Sequence, residues 1–149
     1  MSELRIEELS ARTIVAVNAL SLKPGQEQFV TPVSYSVAAA VNDPNTTWQR
    51  VVLNGDSVLA FIQGSFDKNA EPPFSSILWR INVNAEEQGQ GVGRFAVIAL
   101  AKEAKSRGLS VIHVSYELGD WGPEEFCARV GFTPIGETEY GEGIGRQEL

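Results

Sequence analysis

Residues 88–93 read Gln-Gly-Gln-Gly-Val-Gly, between the apolar run Ile77 to Val83 and a helical pattern from Arg94 to Arg107. The chain must leave a strand and enter a helix within these few residues. Such a turn presents unpaired backbone N–H groups at the positive end of the helix dipole. It can hold phosphate without a basic side chain. Glycines let the backbone approach a ligand closely.

The spacing narrows the ligand. No Gly-Lys-Ser/Thr follows, so this is not a P-loop, and the dinucleotide pattern Gly-x-Gly-x-x-Gly is absent from the segment. Gln88-x-x-Gly91-x-Gly93 resembles instead the Arg/Gln-x-x-Gly-x-Gly/Ala signature of the GNAT N-acetyltransferase superfamily. Three further segments resemble the same family, in the same order. Ile77-Leu78-Trp79-Arg80-Ile81-Asn82-Val83 is similar to its central strand. Phe126-Cys127-Ala128-Arg129-Val130-Gly131-Phe132 is similar to its Phe-Tyr-x-x-Leu-Gly-Phe helix end. Pro24-Gly25-Gln26-Glu27-x-Phe29-Val30-x-Pro32 resembles a subgroup of bacterial diamine and spermidine acetyltransferases.

The rest of the chain supplies the elements around this unit. Leu4-Arg5-Ile6 alternates as a short strand. Ile14 and Val17 share one side of a helix that Ser10 can cap, and Val33 to Val41 reads as a second helix. Trp48 to Leu53 and Val58 to Phe66 are strands joined by the hairpin turn Asn54-Gly55-Asp56. In the helix after the glycine turn, Val97, Leu100, Ala101 and Ala104 form the apolar face, and Gly108 stops it. Leu109 to Tyr116 is a strand. A helix follows from Pro123 to Val130, stopped by Gly131. Thr133 to Tyr140 and Ile144 to Glu148 close as a hairpin. The expected fold class is α/β: one GNAT-like domain over residues 1–149, with a mixed, mostly antiparallel sheet of about seven strands, splayed at the cofactor cleft, and about four helices.

Composition bounds the partners. Hydrophobic residues make up 43% and charged residues 21%, as in soluble globular proteins. The single cysteine forbids an internal disulfide, and the single His113 argues against a His-centred triad or metal site. Glu3, Glu7 and Glu8 take the place of a basic signal region, and no apolar run is long enough to span a membrane. A cytoplasmic protein is expected. Twelve basic and 19 acidic residues give a net charge of −7, which disfavours nucleic acid and favours a cationic partner such as an amine.

The resemblance implies acetyl-CoA as cosubstrate and no metal. It implies that backbone groups of Ile81, Asn82 and Val83 hold the pantetheine arm, and that amides of Gln88, Gly89, Gln90, Gly91, Val92, Gly93 and Arg94 cradle the pyrophosphate. Substituting Gly91 or Gly93 is then expected to weaken cofactor binding and to leave the fold largely intact. Two positions depart from the family. Cys127 stands where the family has a tyrosine that protonates the departing thiolate. Asp120 stands where it often has asparagine, beside the cofactor, where it could also meet a cationic acceptor or cap a helix. Tyr116, at the end of its strand, has the right chemistry for a substitute acid. Gln28, Phe29, Tyr35 and Glu117 are the expected acceptor-binding residues.

The expected reaction is direct acetyl transfer to a small primary amine, a polyamine among the candidates. Two other readings stand beside it: an acyl-CoA-binding module with little turnover, and acetylation of a peptide or protein. Dimers are frequent among similar proteins, so a second copy of the chain joins the expected partners.

Overall fold

The computed structural model describes residues 4–18, 46–69, 71, 75–84, 91–116, 124–137 and 143–149. Their elements are, in chain order, β1 (Leu4–Glu8), α1 (Ile14–Asn18), β2 (Thr47–Asn54), β3 (Ser57–Phe66), β4 (Ser76–Val83), α2 (Val92–Ser106), β5 (Val111–Tyr116), α3 (Glu124–Arg129), β6 (Thr133–Glu137) and β7 (Gly143–Glu148). The seven strands form one sheet in the order β1-β2-β3-β4-β5-β7-β6. All neighbours are antiparallel except β4 and β5. The expected α/β class and mixed sheet are what the protein has, with three helices among the described residues. The helix expected over 33–41 lies outside them.

Local chemistry accounts for the boundaries. Ser10 opens the first helical turn: its carbonyl accepts from the Ile14 N–H at 2.9 Å, and its own N–H donates to the Thr13 hydroxyl at 3.1 Å. This reciprocal arrangement satisfies donors that the first turn would otherwise leave open. Gly55, at φ 62°, closes the β2–β3 hairpin. Helix α2 ends in a double bond pattern, with the Gly108 N–H donating to Lys105 O at 3.0 Å and the Leu109 N–H to Ala104 O at 3.1 Å. Leu109 is thereby committed to the helix end. That is why β5 begins at Val111, two residues later than the apolar run suggests. The same motif ends α3, with the Gly131 N–H on Ala128 O and the Phe132 N–H on Cys127 O.

Each face of the sheet buries its own cluster. On one face α2 packs Val92, Ala96, Val97, Leu100 and Ala104 against Ala60, Ile62, Leu78, Ile112 and Val114. On the other, Val17 of α1 covers Val51, Leu53 and Phe61. Gly64 lies where α2 packs tightly on the sheet. A Cβ there would lie 2.5 Å from Leu100 Cδ1 and 3.1 Å from the Ile77 carbonyl oxygen. Leu100 is fully buried and has nowhere to move. Gly64→Ala should therefore destabilise the protein by about 1–3 kcal/mol, the usual cost of overpacking. The same substitution in a Leu100→Ala background should cost clearly less. Urea unfolding of the two single variants and the double variant checks this coupling.

Candidate active site

The parallel pair β4–β5 holds together over only two residue pairs, Ile77↔His113 and Leu78↔Val114. Beyond them β4 runs on to Val83 and β5 to Tyr116 with no shared ladder. The divergence has a local cause. On its other edge β4 pairs with β3 through Gln63↔Arg80 and then Gly64↔Leu78, so Trp79 is an extra residue. A bulge of this kind bends the strand that carries it and sharpens its twist. The bend turns residues 79–83 away from β5 and opens a gap in the middle of the sheet.

The start of α2 lies beside the end of β4. Gly91 is the N-cap, at φ 85°, with no side-chain cap, and its carbonyl accepts the Phe95 N–H at 3.0 Å. The N–H groups of Val92, Gly93 and Arg94 precede that first helical bond and have no partner within the helix. The helix thus starts at Val92, two residues before the sequence pattern suggests. Gly93 is consequently a buried residue of the first helical turn. A Cβ there would meet Phe126 of α3 at 2.9 Å and Val83 Cγ2 at 3.6 Å. Around Gly91 no such obstruction lies within 4 Å among the described residues. The strand end, the open helix start and α3 are therefore packed together by the absence of one side chain.

The geometry suits an extended, phosphate-bearing thioester. The gap can take a chain-like arm along β4, and the first-turn amides of α2 offer donors and positive potential to a phosphate. Arg94 and Lys102 line one groove of about 310 Å³ on the flank of α2, together with Lys105 and the end of the chain. Of the expected cofactor residues, Val83 at the end of β4 and Gly93 in the first turn of α2 stand against each other. Tyr116 ends β5 at the gap, and both Tyr116 and Cys127 are buried in the cluster beneath α2. Gln28, Phe29, Tyr35, Gln88, Gly89, Gln90, Glu117 and Asp120 lie outside the described residues. No group of His, Cys, Asp and Glu among the described residues could hold a metal ion.

Sequence reasoning missed the polar side of the gap. Strand alternation and register put Gln63, Asn82, His113 and Ser115 on the face away from α2, and all four are buried. Gln63 Oε1, Asn82 Oδ1 and His113 Nδ1 have no hydrogen-bond partner among the described residues. A buried acceptor left without a donor costs about 1–3 kcal/mol. Gln63 and Asn82 carried a visible signal, each a lone amide inside an apolar strand. No motif marks them as a pair.

An opened parallel pair beside a glycine-capped helix start offers a strand edge to a long ligand and first-turn amides to phosphate. The chain belongs to the Acetyltransferase (GNAT) family, whose model matches residues 15–132. It is accordingly an acetyl-CoA-dependent acetyltransferase. No curated protein is significantly similar to it in sequence. Its fold is similar to that of PaiA N-acetyltransferase from Thermoplasma acidophilum in complex with coenzyme A, at TM-score 0.75 and 12% identity over 99% of both chains. It is similar also to the ribosomal-protein-S18-alanine N-acetyltransferase of Escherichia coli, at 0.71 and 18% identity over 99% of this chain and 94% of that one. A Salmonella typhimurium acetyl transferase that modifies the N-terminal serine of ribosomal protein L7/L12 matches at 0.73 and 14% identity, over 100% and 96%. At these identities the likeness is one of fold.

His113 makes the site sensitive to acid. Its pKa is lowered from 6.5, first by burial and then by the nearby Arg146, while a hydrogen bond with the Ser76 backbone works the other way. The unfolded chain therefore binds more protons than the folded one between the folded value and 6.5. Stability is fully present above that range and is lost as pH falls through the folded pKa. The urea midpoint should decline below about pH 6.5, the ordinary histidine value, and His113→Gln should flatten the decline.

Proposed function

We propose that this acetyltransferase moves the acetyl group of acetyl-CoA directly to a small primary amine bound in the opened β4–β5 gap, diamines and polyamines included. The observation that carries this reading is the divergence of β4 from β5 after Leu78 and Val114, next to the Gly91 cap. In this reading acetyl-CoA supplies the activated thioester. Backbone groups of Ile81 and Val83, on either side of Asn82, hold its arm and polarise the carbonyl, as preorganised donors do. The first-turn amides of α2, with Gln88, Gly89 and Gln90 ahead of them, receive the pyrophosphate. Arg94 meets the outer phosphates. Positioning the amine and the thioester together supplies much of the rate.

Tyr116 is the proton donor to the departing thiolate in this reading. It closes the strand that forms one bank of the gap, and a phenol is suited to the task. Cys127 packs in the apolar cluster under α2, an ordinary place for a lone thiol. Gln28, Phe29, Tyr35 and Glu117 would receive the acceptor, and Asp120 would stand near the cofactor thiol. A second reading, transfer to a protein N-terminus, draws support from the ribosomal-protein acetyltransferases that share the fold.

Cofactor binding separates the two glycines. Gly91→Val forces a β-branched residue into positive φ, at a cost of about 1–2 kcal/mol locally, and should lower acetyl-CoA affinity at least about tenfold, or ~1.4 kcal/mol. Gly93→Asp should lose both binding and stability, because Phe126 and Val83 occupy the space a side chain needs. Equilibrium binding and thermal unfolding of the two variants distinguish these outcomes.

Turnover tests the reaction. Thiol release should be seen with putrescine, spermidine or a monoamine, and not with nucleosides. The KM of a diamine should rise with salt, because exposed charges are screened over about 8 Å at physiological ionic strength. In the same assay Tyr116→Phe should lower kcat about 100-fold or more, the range of a lost general acid. Cys127→Ala should stay within about tenfold, ~1.4 kcal/mol of barrier. A preference for peptide N-termini over every small amine would transfer support to the second reading.

A further inference from the structure

The two faces of the β4–β5 gap differ in chemistry. On the α2 side, Ile81, Val83, Tyr116, Cys127 and Phe132 belong to the apolar cluster. On the opposite side, β4 presents Asn82, which is 3% exposed, and β3 presents Gln63, which is 7% exposed. Phe61 pairs with Asn82 and Gln63 with Arg80, so Gln63 and Asn82 are diagonal neighbours on one face. Diagonal neighbours in an antiparallel pair lie about 7–8 Å apart, within reach of long side chains. Both side-chain carbonyl oxygens are buried and have no hydrogen-bond donor among the described residues. Two neighbouring oxygens that lack donors, beside a gap built for a thioester, are complementary to a ligand that carries several N–H groups.

Asn82 meets the gap with its side chain. The Asn84 N–H donates to Leu59 O at 2.9 Å, so by ladder alternation Asn82 turns its backbone groups to Phe61 of β3, while Ile81 and Val83 turn theirs toward the gap. The Asn82 side chain stands roughly normal to the sheet. A thioester lying in the gap would therefore present one side to the Asn82 carboxamide. An amine held there approaches the carbonyl carbon from above the sheet, unobstructed by the cluster under α2.

We propose that Asn82 and Gln63 form the amine-orienting wall of the acceptor subsite, their side-chain oxygens accepting the N–H groups of the attacking primary amine, and that the subsite binds this nucleophile as the neutral amine. The inference rests on the acetyl-transfer reading above and specifies how its acceptor is recognised. A carboxylate in the same place would favour the ammonium form and hold the proton that must leave. Neutral amide oxygens orient the nitrogen without doing so. From a neutral amine the transfer is balanced. The nitrogen lone pair forms the C–N bond, the C–S bond breaks, the nitrogen loses one proton and the sulfur gains one. The charged or titratable groups that the strands place on this face are Arg80, His113, Arg146 and Glu148, with Arg5 and Glu7 at the far edge on β1. Arg146 pairs with Glu148 at 3.1 Å, and Arg5 with Glu7 at 2.7 Å. Of the six only His113 has an ordinary pKa near neutrality.

The test uses the full chain, acetyl-CoA and two probes, propylamine and putrescine, with thiol release as the signal. Asn82→Leu and Gln63→Leu should each raise the amine KM about tenfold, the loss of one hydrogen bond, and Gln63→Leu should do so with acetyl-CoA affinity unchanged. Asn82→Asp should lower the amine KM and move the acid limb of kcat upward by about one pH unit, because a carboxylate stabilises the bound ammonium. Two measurements need no variant. In the wild-type protein the acid limb of kcat, which reports the bound state, should lie at least about one unit below that of kcat/KM. N-methylpropylamine, with one N–H fewer, should have kcat/KM about tenfold lower than propylamine. Coincident acid limbs in the wild-type protein, or amine KM and pH profile unmoved in the folded variants, overturn the proposal and leave acetyl transfer standing. Absence of thiol release with every primary amine would overturn the acetyl-transfer reading, and this inference with it.

Discussion

The bulge at Trp79 is the constraint on which the site depends. A sheet of seven strands with a continuous ladder would have no interior opening. One extra residue on β4, opposite the junction of Gln63 and Gly64, bends the strand away from β5 after two parallel pairs. A parallel pair accepts such a rupture because it is joined by a crossover helix rather than a tight turn. The two strands are anchored independently, β4 against β3 and β5 against β7, so each keeps a partner on its far edge. The gap is therefore a stable feature of the fold, formed without unfolding either strand.

The helix start follows from the same geometry. Once β4 has turned, its last residue Val83 stands against Gly93, and Phe126 of α3 packs over the same glycine. Only a residue without a side chain lets three elements meet there. Gly91 has a different task, holding positive φ so that the chain can enter the helix with no side-chain cap on its first amides. Glycines two residues apart thus do two jobs, one of packing and one of backbone direction. A pattern of two glycines with one residue between them is what such a junction demands, and it explains why the motif is short.

Much of this was legible in the sequence because it rests on local chemistry. Asn54-Gly55, Gly108 and Gly131 are needed for their backbone angles, and the elements turn or stop where they stand. The glycine run announced the helix start to within two residues. The bulge at Trp79 was not legible, since nothing in Leu78-Trp79-Arg80 shows that the partner strand skips a residue. The same holds for the polar wall. Gln63 and Asn82 sit in separate strands, and only the register makes them neighbours. Alternation of Val111, His113 and Ser115 was visible, but which face they share with Asn82 depended on that bulge as well.

Charge gives the final constraint on the acceptor. The chain carries a net charge of −7, yet the buried polar residues beside the gap are amides, a hydroxyl and a histidine held toward its neutral form, with the half-buried Arg80 on the same face. These two facts act at different distances. The overall negative field draws a cation toward the protein and is weakened by salt. Inside, burial makes any uncompensated charge costly, and a nucleophile must arrive without its extra proton. A cationic amine attracted from outside would thus meet a wall that favours its neutral form. A diamine satisfies both requirements at once, since its distal ammonium can remain in the outer field while the reacting nitrogen loses a proton. That division is the physical reason for keeping diamines among the proposed acceptors, independent of any resemblance in the N-terminal segment.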